Sequence, residues 1–245
     1  MSFFTTEDRE RVRDRVLELA EADDRVVAGA LVGSLALADG DAFSDLDLTF
    51  AVAEGVAVED VLGDWTRTLA DGLSAVRLFD VWGGGALYRV FLLPGCLQLD
   101  LSFAPQASFG ARTPRFRLLF GRAAELPQAE PVSPEELFGY AVHHALRARF
   151  SLERGKSWLA EYWTSAVRDY ALALACSRRG LPTGYGRGFD ELPAGLLRSF
   201  EDTLPTSLDR EELQRALAAA VEGLLREAGE LARPVERQLR AVAAP

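Results

Sequence analysis

Residues 26–52 read VVAGALVGSLALADGDAFSDLDLTFAV. Val26 to Val32 is a short apolar run and predicts a buried strand. Gly33-Ser34 follows, then ten residues, then Asp45-Leu46-Asp47-Leu48-Thr49-Phe50. Leu46 to Val52 predicts a second strand. Along it Leu46, Leu48 and Phe50 point one way, and Asp45, Asp47 and Thr49 the other. Two carboxylates two residues apart on a strand share a face, with Cα atoms about 6.5 Å apart. Their mutual repulsion is relieved most directly by a divalent cation. A strand that ends in Gly-Ser before a short helical turn presents N–H groups and a hydroxyl to phosphate oxygens. Gly33 lets that backbone approach without a side chain in the way.

Working outward, Glu7 to Ala22 predicts an amphipathic helix carrying Val12, Val16 and Leu19, with Thr6 as its N-cap. Val58 to Ala70 predicts a second helix. Ala75 to Trp82, Ala86 to Leu93 and Cys96 to Phe103 predict three more strands, separated by Gly83-Gly84-Gly85 and Pro94-Gly95 turns. Successive hairpins make the sheet mixed. In the last strand Leu97, Leu99, Leu101 and Phe103 form the apolar face, and Gln98, Asp100 and Ser102 the polar one. Asp100 is therefore a third strand carboxylate. Three carboxylates with open water positions suit Mg²⁺, and two such ions can serve both ends of a phosphoryl displacement.

Ala123 to Pro134 holds Pro127, Pro131 and Pro134 with no period and reads as a linker. Beyond it Pro134 to Ser151, Ser157 to Arg179 and Asp209 to Ala232 have helical patterns, and Gly180 followed by Pro182 stops the middle one. The expected fold class is α+β. A mixed-sheet catalytic domain (residues 1–125) is followed by an α-helical bundle (residues 126–245).

Leu31-Val32-Gly33-Ser34, Ser44-Asp45-Leu46-Asp47-Leu48 and Leu99-Asp100-Leu101 resemble the signature of the nucleotidyltransferase superfamily, the polymerase-beta-like fold. The resemblance covers roughly residues 25 to 105. The plan of catalytic domain plus helical bundle resembles the adenylyltransferases that modify aminoglycosides or lincosamides. The resemblance implies Mg²⁺ held by Asp45, Asp47 and Asp100, and ATP or another nucleoside triphosphate bound at Gly33 and Ser34. For Asp100 it implies either a place on the second metal or the role of base that takes a proton from the acceptor hydroxyl, a role that a glutamate fills in some relatives. A lysine of the helical domain reaches the phosphates in related enzymes. Lys156, the only lysine in the chain, is the candidate; a solvated surface lysine is the alternative.

Ser157, Glu161, Thr164 and Arg168 fall on one helical face, which is either solvated or lines a cleft. There Glu161 could act as base or hold a substrate amine. Trp158, Tyr162 and Trp163 read as core aromatics, with a stacking platform as the lesser reading. His143 and His144 are adjacent, so they point about 100° apart and do not make a helical metal pair. Gly83-Gly84-Gly85 lacks the Lys-Ser/Thr of a phosphate loop and reads as a turn. Gly184-Tyr185-Gly186-Arg187-Gly188 reads as an interhelical loop or a substrate lid.

The net charge of −10 disfavours a long phosphate backbone as partner, so no nucleic acid is expected, and it suits a cationic acceptor. Cys96 and Cys176 read as buried thiols. The start Met1-Ser2-Phe3-Phe4 passes straight into charged residues, no apolar run is of membrane-spanning length, and the default compartment is the cytoplasm. The expected partners are a nucleoside triphosphate and a small-molecule acceptor. A protein acceptor and a non-catalytic nucleotide-binding module are the rival readings.

Overall fold

The structure is a computed structural model that describes residues 3–37 and 40–244. Met1 and Ser2, where the reading of the chain start begins, and Ala38 and Asp39 of the ten-residue spacer lie outside the described residues. The chain forms two compact units, Met1–Ala129 and Glu130–Pro245. The fold class is α+β, a mixed sheet in the first unit and helices in the second.

The first unit runs α1 (Thr6–Ala22), β1 (Val26–Val32), β2 (Leu46–Val52), α2 (Val58–Leu73), β3 (Val76–Gly83), β4 (Ala86–Leu93), β5 (Leu97–Pro105) and β6 (Phe116–Phe120). The strand order is β3-β4-β5-β2-β1-β6. β2 and β5 pair in parallel, and every other neighbouring pair is antiparallel. The alternation in β2 and β5 is realised in burial. Leu46, Leu48, Phe50, Leu99, Leu101 and Phe103 are fully buried. They share a core with Trp65 of α2, whose ring lies 5.1 Å from Phe50 and 4.9 Å from Phe103. Gly84 and Gly85, at φ +58° and +82°, make the two-residue turn between β3 and β4, a conformation a side chain would strain.

Four expectations are corrected in this unit. The cap of α1 is Thr5, not Thr6. Thr5 is extended, accepts the Asp8 N–H and gives its own N–H to the Asp8 carboxylate, a reciprocal box that ties off two helix-end donors. α2 continues to Leu73 and ends at Ser74 in the left-handed region. Cys96 lies in a tight turn before β5 and is exposed, so it is not a buried thiol. β6 was not expected. Its five residues, Phe116-Arg117-Leu118-Leu119-Phe120, are too short and too unalternating to register, and pairing with the β1 edge is what makes them a strand.

The second unit runs α3 (Pro134–Glu153), α4 (Ser157–Ser177), α5 (Ala194–Arg198), α6 (Arg210–Ala228) and α7 (Glu236–Ala243). Ala141, Ala145 and Ala148 of α3, Ala160 and Ala171 of α4 and Ala216 and Ala220 of α6 are fully buried. Small side chains there let the helices approach closely, and Val167, Leu174, Leu217 and Leu224 fill the space between. Gly180, at φ +68°, follows the end of α4. α6 ends at Ala228, where Gly229 breaks the helix into a 3-10 turn. α5 and α7 were not expected, being five and eight residues long. No helix among the described residues is long and apolar enough to cross a membrane.

Candidate functional site

The parallel register of β2 and β5 sets Leu46 opposite Leu99 and Asp47 opposite Asp100. Asp45 stands one residue before β2 begins. Each of the three carboxylates offers an oxygen, and these oxygens lie within 4.8 Å of one another in half-buried positions. The donor set is all oxygen and all anionic, so this cluster could hold a hard divalent ion. Gln98 donates to Asp100 Oδ1 at 3.0 Å. Burial pushes the Asp100 carboxyl above its usual range, the Gln98 hydrogen bond pulls it back, and the Asp45 charge raises it again. A cation would relieve both raising effects.

Gly33 stands against this cluster. It has φ +71°, and a Cβ placed on it would lie 2.1 Å from Asp47 Oδ2. The backbone therefore occupies space that any side chain would take from the carboxylate. Ser34, half-buried, opens the 3-10 turn Ser34–Leu37.

Asp45 is delivered by a loop with its own frame. The Asp41 N–H donates to Ser44 Oγ at 2.9 Å, and the Phe43 N–H donates to Asp41 Oδ1 at 2.9 Å. The Phe43 N–H and then the Ser44 hydroxyl hold the Asp41 carboxyl below its usual range. Arg9 of α1 is 6% exposed and donates to the carbonyls of Asp41 and Ser44, each at 2.7 Å. Sequence reasoning missed Arg9. Its signal was a charged residue in helical step with buried Val16 and Ala20.

Beyond Asp100 the same row crosses to Val90 on β4 and Phe79 on β3. Val90 is buried and Phe79 is 53% exposed. The carboxylates thus border an apolar part of the sheet face.

Lys156 and Glu161 belong to the helical unit. Lys156 occupies the N-cap position of α4, exposed, with no side-chain cap bond. Glu161 is half-buried and accepts the Ser165 hydroxyl at 2.6 Å. Thr164 is buried, with its hydroxyl on the Ala160 carbonyl at 2.8 Å, so the stripe Ser157, Glu161, Thr164, Arg168 is not one polar surface. The core reading of the aromatics fails for Trp158 and Tyr162, which are 77% and 60% exposed. Aromatic type favours burial on average, and α4 simply turns these two outward. Trp163 is half-buried and stacks on His144 at 4.9 Å, and the Arg147 guanidinium lies 5.3 Å from the Trp163 ring centre. His143 accepts from Arg147 Nε at 2.8 Å. Burial first, then the charges of His143 and Arg147, lower the His144 pKa.

No family profile matches the chain, and no curated protein matches it. Among solved structures it is similar to an aminoglycoside 6-adenyltransferase from Bacillus subtilis, at 12% identity over 95% of this chain and 97% of that one, with a TM-score of 0.37. A likeness that loose carries no weight in the functional reading, which rests on the residues themselves.

Proposed function

We propose that this chain is a Mg²⁺-dependent nucleotidyltransferase that moves a nucleoside monophosphate, AMP from ATP as the first case, onto a hydroxyl of a small molecule. The supporting observation is the convergence of Asp45, Asp47 and Asp100 against the Gly33 backbone. Asp45, Asp47 and Asp100 would hold the metal, which supplies charge neutralisation for the α-phosphate and the departing pyrophosphate. The Gly33-Ser34 turn offers N–H groups and a hydroxyl to phosphate oxygens. The acceptor oxygen forms the new bond to the α-phosphorus, the bond from that phosphorus to the bridging oxygen breaks, and pyrophosphate leaves with the electron pair. The hydroxyl proton passes to a carboxylate, and Asp100 is the proposed base. Catalysis on this scheme is positioning and electrostatics.

Aminoglycosides and lincosamides are the first acceptors to test, on the resemblance of the catalytic-domain-plus-helical-bundle plan and the net charge of −10, which suits a cationic partner. The experiment is a pyrophosphate-release screen over these and other hydroxyl-bearing small molecules, with each nucleoside triphosphate in turn and with and without Mg²⁺. Asp47→Asn should abolish turnover and leave the circular dichroism spectrum unchanged. Normal release by that variant would remove the metal-site reading.

A further inference from the structure

The helical unit contains a cavity of about 570 Å³, a size that holds one or two rings. It is walled by Leu137, Tyr140, Asp169, Tyr170, Tyr185 and Phe189, among others. Tyr140 and Tyr170 are stacked with ring centres 5.4 Å apart and planes 25° apart. Both rings line the cavity. Asp169 supplies the one formal charge among the lining residues. Its neighbour Arg168 pairs with it, but both contacts, at 3.0 and 2.9 Å, fall on Oδ1. Among the described residues Oδ2 has no hydrogen-bond donor. Glu136 of α3 adds a second negative charge felt at Tyr170.

The loop that borders this cavity is strained where it presents its ring. Tyr185 has φ +57° and is 98% exposed. A non-glycine residue is held in the left-handed region at a cost, here inside a turn that the Arg187 N–H closes on the Gly184 carbonyl at 3.2 Å. The Arg187 guanidinium lies 5.7 Å from the Tyr185 ring centre, so a cation already rests on this face.

We infer that this cavity binds a small organic cation bearing a flat ring, with the ring against Tyr140 and Tyr170, the ammonium at Asp169, and Tyr185 closing over it. The inference does not rest on nucleotidyl transfer, so its test contains neither nucleotide nor metal. Tryptamine, tryptophol and indole-3-acetate share one ring and differ in charge. Calorimetric titration of the full chain should give binding in that order, with tryptamine about tenfold tighter than tryptophol. Asp169→Asn should bring tryptamine level with tryptophol. Tyr185→Gly, which relieves the backbone, should raise Tm and weaken all three ligands several-fold. Equal affinities for the three, no saturable binding, or a tryptamine preference that survives Asp169→Asn would each overturn the inference.

Discussion

Gly33 shows how much one missing methyl can decide. At φ +71°, with Asp47 Oδ2 2.1 Å from where a Cβ would stand, alanine here meets two obstacles at once. The backbone conformation alone costs about 1 kcal/mol. The collision adds displacement of the carboxylate, and misplacing a catalytic group by about 1 Å costs on the order of 100-fold in rate. Gly33→Ala should therefore lose about 100-fold in pyrophosphate release while its unfolding midpoint in urea falls only modestly. Equal losses in both would make Gly33 a folding residue and nothing more. Lys156 invites the opposite kind of test, because it is exposed and makes no cap bond. If its ammonium meets phosphate, Lys156→Ala should raise KM for ATP about tenfold with an unchanged melting curve. An unchanged KM would return it to the solvated surface.

At the level of elements, α1 braces the loop before the candidate site without contributing a carboxylate to the cluster. Arg9 reaches from its buried face to the two carbonyls that frame the loop before Asp45. Hydrogen bonds from a charged donor are worth about 1.5–3 kcal/mol each and do not add fully. Arg9→Ala should cost about 2–4 kcal/mol in urea unfolding and should weaken Mg²⁺ activation, read as a higher metal concentration at half-maximal rate. Unaltered Mg²⁺ activation would limit Arg9 to stability. The contrast with Asp45 and Asp47 explains what was legible beforehand. β2 and β5 alternate through Leu46–Phe50 and Leu97–Phe103, so sequence placed their acidic faces. Their parallel pairing, which brings Asp100 opposite Asp47, depends on β1 and β4 flanking them and leaves no mark in either segment. Arg9 acts across 32 and 35 residues of chain, and β6 exists through its partner. Both are tertiary facts, invisible to a local period. The aromatic residues of α4 failed for a related reason, since residue type says little about which way a helix turns.

Across the first unit, one polar knot joins three elements. Asp23 follows α1, Arg25 precedes β1, and Trp65 and Asp64 lie on α2. Arg25 donates to both Asp23 oxygens at 2.8 Å and to Asp64 at 2.6 Å, and the Trp65 indole donates to Asp23 Oδ2 at 2.8 Å. Hydrogen bonds from Arg25 first, then from Trp65, lower the Asp23 pKa from 3.8 to about 2. A carboxyl depressed on folding contributes its stability above the unfolded pKa and loses it as pH falls through the folded one. The window is thus pH 4 down to about 2, and the contribution at neutral pH is about 2 kcal/mol at most, reduced by the partial exposure of Arg25. Urea unfolding of Asp23→Asn should show about 1–2 kcal/mol less stability at pH 7 and a flatter decline below pH 4. A parallel decline in both proteins would mean that the knot is already screened by solvent.

The two thiols fall one in each unit, and they differ in access. Cys96 is exposed at the corner before β5, beside Gly95, whose carbonyl takes the Phe4 N–H at 2.9 Å. Cys176 is fully buried in α4, and that burial pushes its thiol pKa up. A maleimide dye added to the native protein should mark Cys96 within its ordinary reaction time and reach Cys176 only when the helical unit opens. The slow phase of labelling is then a clock for that unit alone, readable in the wild-type chain without introducing a single reporter.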